Sequence, residues 1–287
     1  MKIAVVSDIH ANAPALVAVI DAIAAEKVDR IVCLGDVAGY NTEPGRCVSL
    51  LREAGALCVA GNHDRAAIGA IGTDGFSDQA RRAVDWTRPR LEEATRAFLA
   101  SLPLKRVVDG VLVAVHGALH PEAGCELVRL DDDGKRALSF DALAAHPSGA
   151  RVCAFGHTHR AGVWERCGGV IRFLEGETIA LRPDALYLVN PGSVGEPRGG
   201  DQRASFLVFD SQAASVRFRR VAYDRPSVLA RTRAAGLMAP PRLAWLPAPL
   251  RSGLIRLLRQ TGAYDRAVAG LRVLDRTFNP RKSRRPG

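Results

Sequence analysis

The sequence lacks long apolar runs. No stretch of 18 apolar residues occurs, and the first ten residues, MKIAVVSDIH, have no extended apolar segment followed by small residues. A membrane-spanning helix needs about 20 consecutive apolar residues, and a secretory signal needs an apolar core with a small-residue cleavage site. The sequence therefore predicts no membrane span, and we expect a cytoplasmic protein.

Cysteine is also sparse, and none of the six cysteines forms a Cys-x-x-Cys pair. That absence excludes a zinc ribbon and a thioredoxin-type redox motif. Cys33, Cys58 and Cys153 lie inside apolar runs, where a cysteine typically packs as a small buried hydrophobe. We expect free thiols rather than disulfides.

Acidic residues are nearly absent from the last quarter of the chain. The 287 residues contain 40 Lys and Arg against 30 Asp and Glu, a net charge of +10. Residues 217–287 hold 17 of the basic residues and three of the acidic ones, so that residues 1–216 carry a net charge of −4. The basic character therefore belongs to the end of the chain, and it does not indicate that the whole protein binds nucleic acid.

An apolar fraction of 47% and a charged fraction of 24% are typical of a folded soluble protein. Short apolar runs alternate with helical patterns, which predicts neighbouring parallel strands in an α/β fold. The predicted strands are 3–6, 31–34, 56–60, 111–115 and 151–155, and the predicted helices are 14–23, 45–54 and most of 77–100. Shorter strands at 170–174, 185–189, 204–209 and 215–221 are predicted to form hairpins in a second sheet.

Five of the predicted strands each end in a short polar cluster. In an open α/β sheet, ligands bind beyond the carboxyl ends of the parallel strands, so these clusters are expected to converge. Their carboxylate, imidazole and amide groups suit Mn²⁺, Fe²⁺, Ni²⁺ or Zn²⁺, whereas the lack of a thiolate argues against a structural zinc site. The clusters are Asp8-x-His10, Gly35-Asp36, Gly61-Asn62-His63-Asp64, His116 and Gly156-His157-Thr158-His159.

These clusters supply more candidate ligands than one ion needs. Two ions with about four or five ligands each, including water, would use all of them if one carboxylate bridged the pair. Two such ions can activate water and clamp both oxygens of an in-line phosphoryl displacement. The seven candidates are Asp8, His10, Asp36, Asn62, His116, His157 and His159.

In order and spacing, the five clusters resemble the calcineurin-like metallophosphoesterase superfamily, over residues 1–221. Segments 7–12 (SDIHAN) and 190–198 (NPGSVGEPR) further resemble its small prokaryotic phosphodiesterase branch, the MJ0936-like and YfcE-like proteins. The resemblance implies a four-layer α/β/β/α sandwich, in which two mixed sheets pack face to face between helices.

The resemblance also implies a role for each residue. Two ions are expected, with Mn²⁺ as the first choice and Ni²⁺, Fe²⁺ or Zn²⁺ as alternatives, and a bridging hydroxide would attack phosphorus in line. His63 would not bind metal but would contact the substrate or protonate the leaving oxygen, with Asp36 as the other catalytic residue and Asn62 also facing the substrate. By motif position, Asp8, His10 and His159 bind the first ion, Asn62, His116 and His157 bind the second, and Asp36 bridges them.

The loop after Asp36 departs from the superfamily's Ser/Thr phosphatases. Residues 37–41, VAGYN, lack the Asp and the phosphate-binding Arg that those enzymes carry there. Arg65 and Arg198 are the nearest candidates to replace that Arg. We therefore predict a phosphodiesterase acting on a nucleotide or another small phosphorylated substrate. The alternatives are a phosphomonoesterase, a protein or dinucleoside polyphosphate phosphatase, and a non-catalytic binding scaffold with the same fold.

Two local roles stay open. Asp64 is interpreted as a helix cap, with orientation of His63 as the alternative. Segment 190–200 is either a loop that lines the substrate or a surface turn.

We divide the chain into a catalytic domain, 1–225, and an Arg-rich helical C-terminal extension, 226–287, whose end at 279–287 is predicted to be disordered. A leucine stripe from Leu250 to Leu258 indicates amphipathic helices that pack on the domain or on a partner subunit of a homo-oligomer. Nucleic acid or an anionic membrane surface is the alternative partner of this extension.

Overall fold

The computed structural model describes residues 1–238 and Leu257. Residues Met1–Leu237 form one compact unit, which includes the helix Arg225–Ala234. Apart from Leu257, the predicted leucine stripe and the predicted disordered end lie outside the described residues, and the domain division at residue 225 stays a prediction. Among the described residues, none of the helices combines the length and the apolar composition that a membrane span requires.

The described residues contain the predicted strands and helices together with others that the sequence pattern did not indicate. The strands are β1 (Lys2–Val6), β2 (Arg30–Cys33), β3 (Leu57–Cys58), β4 (Lys105–Val108), β5 (Leu112–Val115), β6 (Val152–Ala154), β7 (Gly162–Cys167), β8 (Val170–Leu174), β9 (Thr178–Ala180), β10 (Leu186–Asn190), β11 (Ala204–Asp210) and β12 (Ser215–Val221). The α-helices are α1 (Ala13–Glu26), α2 (Pro44–Glu53), α3 (Asn62–Ala67), α4 (Asp78–Thr87), α5 (Glu93–Ser101), α6 (Asp133–Ala144) and α7 (Arg225–Ala234).

The strands form two six-stranded mixed sheets, in the orders β3-β2-β1-β11-β12-β9 and β4-β5-β6-β10-β7-β8. Strands β1, β2 and β3 run parallel to one another, as do β5, β6 and β10. The remaining pairs are antiparallel. Each sheet thus has a parallel part whose carboxyl ends can carry a site.

Alternation of side chains along the strands builds the layers, because successive residues point to opposite faces. In β1, Ile3 and Val5 enter the core between the two sheets, whereas Ala4 and Val6 pack under the helices of the first sheet. Helix α6 covers the outer face of the second sheet through Phe140. The predicted four-layer α/β/β/α sandwich is confirmed.

One prediction about the sheets was wrong in part. Strands 204–210 and 215–221 belong to the first sheet rather than the second, because β11 pairs antiparallel with β1. Every residue of β11 except Asp210 is buried, as expected for a strand inside a sheet with both faces covered. The helical stretch 77–100 is broken at the 3₁₀ turn Arg88–Arg90, which contains Pro89.

Candidate metal centre

The predicted polar clusters lie together at the carboxyl ends of five strands, β1, β2, β3, β5 and β6. One group of candidate ligands comes from the first and last clusters. Asp8 Oδ1 lies 3.2 Å from His159 Nε2, and His10 Nε2 lies 3.1 Å from that same nitrogen. His159 thus lies beside Asp8 and His10 although it is 149 residues from His10 in the chain, and all three side chains are buried.

A second group surrounds His116. Its Nε2 lies 3.0 Å from Asn62 Oδ1 and 3.2 Å from His157 Nδ1. Asp36 Oδ2 lies 3.4 Å from this nitrogen and 3.7 Å from His10 Nε2. The Asp36 carboxylate therefore stands between the two groups, and all seven predicted ligands are brought together.

The donor atoms fit divalent ions. Ligand atoms bound about 2.1 Å from one ion are roughly 3.0–3.4 Å from each other, which matches most of the separations in both groups. The ring nitrogens of His10 and His159 face each other, as do those of His116 and His157, so that lone pairs converge. Asp8 Oδ1 is buried with no hydrogen-bond partner, and such a carboxylate oxygen is costly unless a cation satisfies it.

Backbone carbonyls orient three of the imidazoles. The Nδ1 of His10 lies 3.1 Å from Ala38 O, and the Nδ1 of His116 lies 2.8 Å from Leu34 O. His159 Nδ1 lies 2.7 Å from the carbonyl oxygen of residue 196. A carbonyl can only accept, so each Nδ1 carries a proton and each Nε2 is the nitrogen left to bind an ion at the centre.

The chain adopts the left-handed conformation at five of the seven candidates, with φ between 51° and 62°. For a residue with a Cβ, such backbone costs about 1–3 kcal/mol and typically clusters at functional sites. The five are Asp8, His10, Asp36, His157 and His159.

Glycine is required where these loops touch. A Cβ at Gly61 would overlap the backbone nitrogen and carboxylate of Asp36, and one at Gly156 would overlap the Ser7 hydroxyl. The glycines that precede the ligands therefore let neighbouring loops approach closely.

Burial and charge set the protonation of the imidazoles. Burial is the largest cause that lowers the pKa of His10, His157 and His159, which favours the neutral, ligating form. Burial alone would also lower the pKa of His116, but the Asp36 carboxylate outweighs it and raises that pKa to about 9. A metal ion that binds His116 would therefore displace a proton.

The pKa of Asp36 is shifted in the opposite direction to that of His116. Burial alone would raise the pKa of its carboxyl, but the imidazoles of His116 and His63 outweigh burial and hold it well below the usual range. Asp36 Oδ1 also accepts a 2.8 Å hydrogen bond from the backbone N–H of His63. The carboxylate is thus ionised and fixed in place.

Segment 190–200 braces the centre rather than forming a simple surface turn. The Ser193 hydroxyl donates to Asp8 O at 2.8 Å, and the backbone N–H of Gly195 donates to the same oxygen at 3.0 Å. Asn190 Nδ2 donates to Gly156 O at 2.9 Å. The segment therefore holds two of the ligand loops, and its Arg198 also lines the cavity beside them.

Asp64 acts as a cap. Its Oδ2 accepts from the N–H of Gly61 at 3.0 Å, at the start of α3, and its Oδ1 accepts from the N–H of Ala38 at 2.9 Å. Burial, and then the nearby charge of Asp36, raise the pKa of Asp64 to about 7. Asp64 thus joins α3 to the loop after Asp36.

A cavity of about 460 Å³ opens beside the centre, and it is lined by Asp36, Asn62, His63 and Arg198 among others. The ring of His63 lies 4.9 Å from that of Tyr40, and its Nδ1 is buried with no partner. Burial lowers the pKa of His63.

Arg65 does not line this cavity; its guanidinium is paired with the Glu126 carboxylate. Arg129 and Phe76 do line it. Sequence reasoning missed both, because neither lies in a polar cluster at a strand end.

Comparison with known proteins agrees with the geometry. Residues 1–214 match the calcineurin-like phosphoesterase superfamily domain. The chain is 35% identical over 226 residues to the protein MJ0912 of Methanocaldococcus jannaschii, covering 77% of this chain and 88% of that protein.

Two solved structures are similar over most of the chain. A metallophosphoesterase from Sphaerobacter thermophilus is 35% identical and covers 83% of this chain and 95% of its own, with a TM-score of 0.68. The protein PH1004 from Pyrococcus horikoshii OT3 is 18% identical, with a TM-score of 0.65, and the match covers 83% of this chain and 94% of that protein. At this level of identity the similarity shows the fold alone. The chain therefore belongs to the calcineurin-like phosphoesterase superfamily, a family of hydrolases.

Proposed function

We propose that the protein is a phosphodiesterase that uses two divalent ions and acts on a nucleotide or another small phosphorylated compound. The position of Asp36 carries this proposal. Its Oδ2 lies 3.4 Å from His116 Nε2 and 3.7 Å from His10 Nε2, so one carboxylate oxygen borders both groups of candidate ligands. A shared carboxylate would set two ions a few ångströms apart.

Each group would hold one ion. Two ions bound there supply Lewis-acid activation of water and of the phosphoryl oxygens. We propose Mn²⁺, since carboxylate, imidazole and amide oxygen suit it, although Ni²⁺, Fe²⁺ and Zn²⁺ share these preferences. The first set is Asp8, His10, Asp36 and His159, and the second is Asp36, Asn62, His116 and His157.

His63 is proposed as the residue that meets the substrate. It is the second residue of α3 and lines the cavity beside Asp36. Its Nδ1 is buried with no hydrogen-bond partner, and we propose that Nε2 is the atom that protonates the leaving oxygen. The ring packs against Tyr40 and Phe76, and these contacts fix its direction.

The preference for a diester is supported by the loop after Asp36. Val37 and Ala38 are fully buried, and no cationic side chain occurs in residues 37–41. A monoester dianion carries more charge at the scissile group than a diester, and this loop adds nothing to balance it. The cationic side chains of the cavity, Arg129 and Arg198, come from other segments.

The proposal is tested by Asp36→Asn and His116→Ala, with His146→Ala as a control outside the centre. Mn²⁺-dependent hydrolysis of bis(p-nitrophenyl) phosphate should be abolished in the first two variants and retained in the third. Activity that survives in both metal-analysed variants would overturn the proposal.

A panel of mono-, di- and cyclic phosphates with Mn²⁺, Ni²⁺ and Zn²⁺ tests the diester preference. No bound metal and no turnover of either ester type would instead make the protein a binding scaffold.

A further inference from the structure

Two guanidinium groups line the cavity beside the candidate metal centre. Arg129 follows the 3₁₀ turn Cys125–Leu127, and Arg198 belongs to segment 190–200. Arg198 forms no ion pair with any residue in the described part of the chain, and the Arg129 Nε lies 3.9 Å from Asp131 Oδ2, at the limit of an ion pair. Burial, and then the charge of Arg198, lower the pKa of Arg129. Two guanidinium groups therefore line the cavity, and neither is held in a close ion pair within the described part of the chain.

The charge of this cavity exceeds what one phosphoester requires. Asp8 and Asp36 carry two negative charges, and ligating imidazoles are neutral. With two divalent ions, the centre would carry about two positive charges, enough to balance the scissile group and an attacking hydroxide. Apart from Asp36, the described lining of the cavity contains one carboxylate, Asp74. The two arginines thus add positive charge that a singly phosphorylated substrate leaves unmatched.

The size of the cavity leaves room for a group beyond the scissile one. Its volume of about 460 Å³ falls in the range of pockets that enclose a whole small molecule, roughly 300–1,000 Å³. A single phosphoryl group at the centre would leave most of it empty.

We propose that Arg129 and Arg198 form a second anion subsite, which binds a phosphoryl group other than the scissile one. The substrate class is then a small molecule with at least two phosphoryl groups, such as a nucleotide diester with a further phosphate. This inference rests on the proposed function, because it assumes that the scissile group binds at the metal centre. Guanidinium groups suit such a subsite, since each can donate two parallel hydrogen bonds to phosphate oxygens.

The test compares two diesters that differ only in a distal phosphate. These are thymidine 5′-(p-nitrophenyl phosphate) and its 3′-phosphorylated form, both of which release p-nitrophenol. The Mn²⁺-loaded wild-type protein should prefer the 3′-phosphorylated diester in kcat/KM by about tenfold or more, chiefly through KM. In Arg129→Gln and Arg198→Gln this ratio should fall toward one, whereas Arg172→Gln, on exposed strand β8, should keep it.

A ratio near one in the wild-type protein, or a ratio unchanged in both cavity variants, would overturn the subsite. A second readout separates it from the proposed function. Calorimetric titration of the metal-free protein with inorganic pyrophosphate should show binding about tenfold weaker in each cavity variant. Equal binding in all proteins would contradict the subsite. If the wild-type protein cleaves neither diester, the proposed function fails and the titration alone decides the subsite.

Discussion

The guanidinium of Arg65 is paired with the buried carboxylate of Glu126. This ion pair joins helix α3, which carries Asn62 and His63, to the segment that leads to Arg129. Arg65 is 28% exposed and Glu126 1%, and the second carboxylate oxygen of Glu126 has no hydrogen-bond partner. Arg65 therefore has a structural partner that its place next to the Asn62-His63-Asp64 cluster did not reveal.

Removal of Arg65 should destabilise the protein more than removal of the charge on Glu126. In Arg65→Gln a buried carboxylate is left unpaired, which costs about 3 kcal/mol. In Glu126→Gln the remaining guanidinium can reach water, so the loss should be smaller. Guanidinium chloride unfolding measures both, with Arg81→Gln at an exposed pair as the control, expected to change by roughly 0.5 kcal/mol or less. A raised KM in Arg65→Gln with unchanged stability would instead make Arg65 a substrate contact.

The Ser193 hydroxyl should matter for metal affinity although it touches no ion. It donates to Asp8 O and accepts from the N–H of Glu196, whose carbonyl in turn orients His159. Loss of such a supporting bond typically weakens metal binding by about 10–100-fold. Titration of metal-free Ser193→Ala with Mn²⁺ should show this loss at one of the two proposed metal sites. Ser101→Ala, on the exposed end of α5, is the control, and equal affinity in both variants would exclude the bracing role.

Gly61→Ala should damage the centre because the new methyl group would overlap Asp36. Overpacking of this kind costs about 1–3 kcal/mol, and relief of the overlap would displace the shared carboxylate. We expect a lower unfolding midpoint together with loss of bound metal. Gly200→Ala, where a Cβ would meet nothing within 4 Å, should change neither. Equal unfolding midpoints and equal metal contents in the two variants would show that the close approach of the loops contributes nothing to stability or metal binding.

His63→Gln should show whether this residue protonates the leaving oxygen. A general acid contributes about 10²–10⁴-fold when the leaving group is a poor one, and little when it leaves as a stable anion. The variant should therefore lose far more activity toward an alkyl ester than toward a p-nitrophenyl ester, with metal content unchanged. An equal loss for both esters would make His63 a contact to the phosphoryl group instead of an acid.

The convergence of the seven candidate ligands was accessible from the sequence, because each follows an apolar strand within a few residues. Parallel strands place their carboxyl ends at one edge, so the pattern carries spatial information. The partner of β11 was not accessible in this way. The apolar sequence of residues 204–209 indicates a strand, but nothing in that sequence specifies pairing with β1, about 200 residues earlier.

Arg129 shows why the cavity could not be predicted. The segment after His116 folds back on itself through a 3.0 Å hydrogen bond from Ala118 N–H to Cys125 O, and this turn brings Arg129 to the centre. Its sequence context, Val128-Arg129-Leu130, is that of an ordinary surface position. Tertiary placement rather than local pattern makes it a candidate.

The most direct test of the central claim is the number of Mn²⁺ ions bound per chain at which hydrolysis of bis(p-nitrophenyl) phosphate reaches its maximum. Metal-free protein is titrated with Mn²⁺, and bound metal and turnover are measured in the same samples. A centre with Asp36 shared between two groups predicts that turnover rises with the second ion and reaches its maximum at two ions per chain. Full turnover with one ion, or turnover by the metal-free protein, would contradict it.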